Sequence, residues 1–217
     1  MTTIVGVDDS GRGPIIGPMV LAGISMEESD IYKLEKLNVK DSKLLTPKKR
    51  EHLYERIIEV VKDYKIILVE PKEIDEALES VNLNLNWLEA IKFAQIINYL
   101  NPDKAIVDCP SPNIKAYTNY LMKFIKNNKL NLICAHKADV NFKIVSAASI
   151  LAKVTRDREV EKIKKKYGNI GSGYMADPIT KKFFDENFEK HPEIFRKTWA
   201  PYKNHVNNKS QKKLGEF

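Results

Sequence analysis

Ile4-Val5-Gly6-Val7-Asp8-Asp9-Ser10-Gly11-Arg12-Gly13-Pro14-Ile15-Ile16-Gly17-Pro18 is the stretch on which the fold turns. Its apolar, largely β-branched lead through Val7 reads as a short buried strand. That strand delivers two adjacent carboxylates, Asp8 and Asp9, at its exit. Two acids at the end of a buried strand are costly unless something cationic compensates them. A hard divalent ion such as Mg²⁺ prefers carboxylate oxygen. Gly11 and Gly13 leave backbone N–H groups open to close approach, and the Arg12 fork suits phosphate. Metal ligands beside a phosphate cradle point to phosphoryl transfer. Taken alone, the same loop is equally a hairpin turn that carries a solvated arginine.

The chain around this stretch has 217 residues, room for one sizeable domain with at most a small appendage. A hydrophobic fraction of 43% supports a core, and 30% charged residues fit a soluble protein. No apolar run approaches the roughly 20 residues that cross a bilayer. The N-terminus leads straight into the first strand, so no signal peptide is expected. Cys109 and Cys134 fall in or beside predicted strands, as free thiols of a reducing, cytoplasmic compartment would. The net charge of +7 is uneven: residues 1–150 hold 20 basic and 20 acidic side chains, residues 151–217 hold 16 and 9. A balanced body with a basic last third fits a catalytic unit with an extension that grips a polyanion. Lysine-rich helices that merely solubilise the protein would give the same tally.

In order, strands are expected over residues 2–8, 18–25, 65–69, 104–108 and 130–135. Helices are expected over 46–63, 71–80, 85–100, 113–126, 144–167 and 178–190. Thr46 before Pro47 and Asp177 before Pro178 supply an N-cap and a first-turn proline. Residues 38–43 read as a polar loop, and the segment beyond Tyr202 as a mobile polar tail. Strands interleaved with helices give an α/β fold, with the first three strands antiparallel and a helical last third packed alongside.

Residues 104–108, Lys-Ala-Ile-Val-Asp, repeat the opening device of an apolar strand ending on an acid. Asp139 follows the fifth strand. Open sheets collect their sites at the carboxyl ends of strands. If strands one and four are neighbours, Asp8, Asp9, Asp108 and Asp139 can share two Mg²⁺ or Mn²⁺ ions about 4 Å apart. Singly, Asp108 and Asp139 read as turn or cap acids; jointly, the metal reading is the better one.

The motifs together resemble the type 2 ribonucleases H (ribonuclease HII), in their archaeal form, over nearly the whole chain to about residue 204. They are Gly6-Val7-Asp8-Asp9-Ser10-Gly11-Arg12-Gly13-Pro14, Asp41-Ser42-Lys43, Val107-Asp108, Lys137-Ala138-Asp139, the run Val-Ser-Ala-Ala-Ser-Ile-Leu-Ala-Lys-Val-Thr-Arg-Asp over residues 145–157, and Gly171-Ser172-Gly173-Tyr174. The resemblance implies a ribonuclease H-like catalytic domain over residues 1–173 with a five-stranded mixed sheet, a helical extension over 174–204 and a flexible tail over 205–217. It implies a monomeric endonuclease that cuts RNA in RNA–DNA hybrids and single ribonucleotides embedded in duplex DNA, leaving 5′-phosphate and 3′-hydroxyl ends. The metal acids would be Asp8, Asp9, Asp108 and Asp139. Gly11, Arg12 and Gly13 would contact the backbone around the ribonucleotide, and Tyr174 would bond the 2′-OH and stack on the next sugar. Lys43 and Ser146 would contact phosphate. The long basic helix, with Lys153, Arg156, Arg158, Lys162 and residues 164–166, offers further phosphate contacts, while Arg156 and Asp157 read equally as a structural pair.

Two departures carry expectations. Asp9 stands where the family usually has Glu, which draws the carboxylate back by one methylene and predicts activity that favours Mn²⁺. Met175-Ala176 replaces the more usual Pro-Ser and predicts a looser turn after Tyr174. At the end of the chain, Gln211, Leu214 and Phe217 fit the pattern of peptides that dock on the sliding clamp PCNA. Two rivals remain. A type 3 enzyme would carry an extra N-terminal domain and lack Arg12. A catalytically weak hybrid- or clamp-binding protein would keep the surfaces without turnover.

Overall fold

The computed structural model describes residues 1–39 and 45–214, with side chains of the last helix described through Lys209. In order the chain forms β1 (Thr3–Ser10), β2 (Met19–Glu27), α1 (Tyr32–Lys36), α2 (Pro47–Val60), β3 (Asp63–Val69), α3 (Pro71–Glu79) and α4 (Leu85–Leu100). It continues through β4 (Lys104–Asp108), α5 (Ile114–Met122), β5 (Asn131–Ala135), α6 (Ala138–Asn141), α7 (Lys143–Tyr167), α8 (Pro178–Asn187) and α9 (Ala200–Leu214). No described helix is long and apolar enough to cross a membrane.

The strands join in the order β3-β2-β1-β4-β5. β2 lies antiparallel to both β1 and β3, while β4 is parallel to β1 and to β5. β1 and β4 are therefore neighbours, with Val7 opposite Val107, and their acidic ends point the same way. β1 is longer than its apolar run: Asp8 and Asp9 pair with Ala22 and Leu21 and belong to the ladder rather than following it. The antiparallel partner extends the strand past the point where the hydrophobic pattern stops.

Both faces of the sheet are covered, as its near-continuous apolar strands require. On one face Ile4, Val20 and Ile24 pack with Val145, Ile150 and Leu151 of α7. On the other Val5, Val7 and Leu21 pack with Phe93 and Ile97 of α4 and Tyr117 and Leu121 of α5. Gly6 lets α7 approach the sheet: a Cβ there would stand 2.6 Å from the Ile144 carbonyl carbon. Local chemistry sets the helix ends. Thr46 Oγ1 accepts from Lys49 N at 3.3 Å, and Asn84 Oδ1 accepts from Trp87 N at 3.0 Å.

A third apolar cluster joins Ile15 and Ile16, just after the glycine loop, to Phe183, Phe184, Phe188 and Phe195. The C-terminal helices thus brace the opening stretch. Where a flexible tail is expected from residue 205, α9 runs across that boundary as helix to Leu214. Tyr202 and His205 pack edge-on against Phe184, and Lys209 pairs with Glu189 at 2.8 Å. Tyr202, His205 and Lys209, spaced about one turn apart on one side of α9, hold the helix down through two ring contacts and an ion pair. Gln211 and Leu214 lie beyond the described side chains, and Phe217 lies outside the described residues.

Candidate active site

Four aspartates reach one cleft of about 440 Å³ by different routes. Asp8 and Asp9 come from the last turns of the β1 ladder, Asp108 from the end of β4, and Asp139 from α6. Lys137 adopts the left-handed conformation (φ 55°) that starts α6, and the Ala138 N–H then donates to Asp108 Oδ1 at 2.7 Å. That bond ties the Asp108 and Asp139 segments together. Ser10, Gly11, Arg12, Lys153 and Tyr174 complete the wall.

Charge is crowded here. Asp8 is buried, and its pKa is raised well above the usual carboxylate range, first by desolvation and then by Asp9 and Asp108. The Asp9 N–H (2.8 Å) and the Ser149 hydroxyl donate to Asp8 and pull the other way. Hard oxygen donors that repel one another are what a divalent cation relieves. Among the described residues no three His, Cys, Asp or Glu side chains close a ready cage. Mg²⁺ asks for none, since it keeps several waters and takes one or two carboxylates together with substrate phosphate. The donor set fits such ions.

Arg12 is placed differently from the expected phosphate fork. One terminal nitrogen forms an ion pair with Glu89 and the other donates to Asn86 Oδ1 at 2.8 Å, both on α4. Burial works against the Arg12 charge, but Glu89 and Asp9 outweigh it and raise its pKa. Glu89 is fully buried, and burial, then Asp9, pushes its pKa well up against the pull of Arg12. The guanidinium is therefore anchored along one edge, which fixes where its remaining N–H donors lie.

Arg196 holds the glycine loop from behind. Fully buried, it donates to the carbonyls of Gly11 (2.7 Å), Arg12 (2.9 Å) and Gly17 (3.0 Å). Asp75 fixes the next residues by accepting from Lys197 N and Thr198 N. Neither Glu89 nor Arg196 stood out in the sequence. Glu89 falls one turn before Phe93 and two before Ile96 on the buried apolar stripe of α4, which is the signal that could have found it; Arg196 carries none.

Tyr174 stands at the rim, 43% exposed. Its ring lies against Gly13, where a Cβ would sit 3.1 Å from Cε1, and Arg156 approaches its face at 5.7 Å. Where Met175-Ala176 predicts a looser turn after Tyr174, the Asp177 N–H donates to Tyr174 O at 3.0 Å. Ser172 N donates to Asp177 Oδ2 (2.7 Å), Gly173 N to Thr180 Oγ1 (3.0 Å), and Ile15 N to Gly173 O (2.8 Å). Side-chain acceptors of α8 replace the stiffness of a proline.

Other expected contacts are corrected. Ser146 is buried and donates to the carbonyls of Asp139 and Phe142, so it braces the α6–α7 junction instead of meeting phosphate. On α7 the basic row is largely spent on neighbours. Lys153 pairs with Asp157, Arg158 with Glu51, Lys162 with Glu159 and Lys164 with Glu161, while Arg156 is buried and donates to Ser172 O. Lys43 lies outside the described residues.

Comparison with known proteins follows from this geometry. A family model described as ribonuclease HII matches residues 5–202. Ribonuclease HII of Methanococcus maripaludis is 44% identical over 99% of this chain and 91% of its own. The crystal structure of ribonuclease H2 from Pyrococcus horikoshii superposes with a TM-score of 0.85 at 43% identity, covering 93% of this chain and 96% of that one. A PCNA:RNase HII complex from Archaeoglobus fulgidus gives 0.82 at 36% identity, covering 92% and 96%.

Proposed function

The chain belongs to the ribonuclease HII family of metal-dependent endonucleases, and from that premise we propose that it cuts the RNA strand of RNA–DNA hybrids and single ribonucleotides embedded in duplex DNA. The observation that carries this reading is one cleft bordered by Asp8, Asp9, Asp108 and Asp139 with Arg12 and Tyr174 on its wall. The four aspartates would hold two Mg²⁺ or Mn²⁺ ions. Bound there, the ions supply a water acidified enough to attack phosphorus and a counter-charge for the departing 3′ oxygen.

The rest falls to the chain's own residues. Ser149 and the Asp9 N–H orient the Asp8 carboxylate, and Ala138 N orients Asp108, so the donors are preset by their own hydrogen bonds. Arg196 holds the glycine loop by its carbonyls, which presents the loop to a nucleic-acid backbone as a formed surface. Tyr174 offers an exposed hydroxyl and ring to the 2′-OH and the following sugar, and the 2′-OH is what separates RNA from DNA. The products would carry 5′-phosphate and 3′-hydroxyl ends. At the far end, Gln211, Leu214 and Phe217 would dock on a PCNA-type clamp, a reading supported by the relative solved with PCNA. The cytoplasm suits the free thiols Cys109 and Cys134.

The test is cleavage of duplex DNA carrying one ribonucleotide, in Mg²⁺, in Mn²⁺ and in EDTA. Metal-dependent cutting beside the ribonucleotide, lost in Asp108→Asn, is expected; equal cutting by that variant or in EDTA would dismiss the reading. In the same assay Asp9→Glu should shift preference from Mn²⁺ towards Mg²⁺, and an unchanged ratio would remove the role given to the shorter side chain.

A further inference from the structure

The charge tally assigns the basic excess to the last third of the chain, yet ion pairs consume most of the α7 row. The opposite holds between Asp108 and Asp139. Residues 109–138 contain Lys115, Lys123, Lys126, Lys129 and Lys137 and not one Asp or Glu. All five lysines are exposed. Among the described residues none of the five has a carboxylate within ion-pairing distance, and Lys123 lies over the Tyr120 ring at 5.5 Å. An unbroken run of unneutralised lysines keeps the field that pairing removes.

This strip is continuous with the cleft. Pro110 lines it four residues before α5 begins, and Lys137 immediately precedes α6, which carries Asp139. On the α4 side, Asn86 touches Arg12, and the next residue, Trp87, stacks on Tyr120 of α5 with ring centroids 4.2 Å apart. A path of contacts therefore leads from the Arg12 guanidinium through Trp87 and Tyr120 to Lys123. Lys115 and Asn119 of α5 and Lys123, which caps the helix in helical conformation, follow at intervals of four, so they share one stripe. Eight residues of helix rise about 12 Å, the axial rise of three to four phosphates of one strand.

We propose that the exposed face of α5, with Lys115 and Lys123 at its centre, is a second contact surface for the phosphate backbone of the substrate duplex, flanking the acidic cleft on the Arg12 side. The inference rests on the nucleic-acid substrate of the proposed function and adds where the duplex lies. It also explains how a cleft of four aspartates draws in a polyanion: the attractive charge stands beside the cleft.

Binding of a long RNA–DNA hybrid, measured in EDTA so that it stays uncut, tests the idea through its salt dependence. Each lost phosphate contact lowers the slope of log K against log[salt] by about 0.9, so Lys115→Gln/Lys123→Gln should lower it by about 1.8. Lys62→Gln/Lys104→Gln removes the same charge at the other end of the sheet, beside Ser25 and Glu28, and should leave the slope intact. A hybrid too short to reach α5 should not distinguish the α5 variant from the unaltered chain. An unchanged slope on the long hybrid, or an equal drop in the control pair, overturns the proposal. If the unaltered chain cuts hybrids while the slope stays unchanged, only the α5 surface fails; if it cuts nothing, the nuclease reading fails instead.

Discussion

Gly13 and Tyr174 are far apart in sequence and in contact in the fold, with 3.1 Å between the tyrosine ring and a Cβ built on the glycine. Gly13→Ala should push the ring off its seat while sparing the core. The expected outcome is a normal circular dichroism spectrum with cutting at a single ribonucleotide slowed several-fold, short of the about 10²-fold of a full 1 Å misplacement, because the ring has only a few tenths of an ångström to give. An unchanged rate would mean that the ring position does not matter. Arg12 and Glu89 make the second case. Removing the arginine leaves a carboxylate buried without its partner, at a cost of roughly 3–5 kcal/mol when ionised. The Glu89 pKa is already raised, by burial and then by Asp9, and Arg12 is what opposes that rise. In Arg12→Ala the folded form therefore keeps a proton that the unfolded chain releases near pH 4.5. Stability is fully present below that pH and falls as pH rises through the folded value. Urea midpoints of Arg12→Ala and wild type should diverge between pH 5 and pH 8; a constant gap would show that Glu89 does not titrate there.

Among the elements, β1 and α7 set the site. β1 carries two of the acids, and α7 supplies Ser149 and Lys153 from a helix seated directly on the Gly6 backbone. A methyl group at that glycine has no side chain to displace, only the Ile144 and Val145 backbone at 2.6–2.7 Å. Gly6→Ala should cost about 3 kcal/mol, at the upper end of overpacking, and shift the helix relative to the sheet. Chemical unfolding would measure the loss; a drop below about 1 kcal/mol would mean that α7 can retreat freely. The starts of α2 and α8 were legible from Thr46-Pro47 and Asp177-Pro178 because capping is local chemistry, whereas both helices stop three residues short of the expected ends. The short α1 was not, and neither was the reach of β1 to Ser10, because partners distant in sequence stabilise both.

For the molecule as a whole, the C-terminal helices are the brace of the catalytic loop. Phe184 and Phe195 pack with Ile15 and Ile16, Arg196 holds three loop carbonyls, and Tyr202 of α9 closes over Phe184. Two truncations separate bracing from docking. A chain ending at Ser210 keeps Tyr202, His205 and Lys209 and should match full-length thermal stability and cleavage while losing retention on a PCNA-type clamp. A chain ending at Trp199 loses α9 and should melt several degrees lower, since removing Tyr202 and exposing the Phe184 and Phe188 surfaces it covers costs about 2 kcal/mol or more. Equal clamp retention by the Ser210 chain would remove the role of the last seven residues.

The strand-end aspartates, the glycine loop and the alternation of strand and helix were readable because each is written as a short contiguous pattern: an apolar run, an acid at its end, a capping pair; Tyr174 was singled out only by the resemblance of its motif. The strand order, the Arg12–Glu89 anchor, the Arg196 clasp and the Arg158–Glu51 pair join positions up to 185 residues apart. A charge or a carbonyl in a sequence does not name its partner. Which lysines stay free to meet a polyanion is therefore decided only when the chain has folded and its acids have chosen their neighbours.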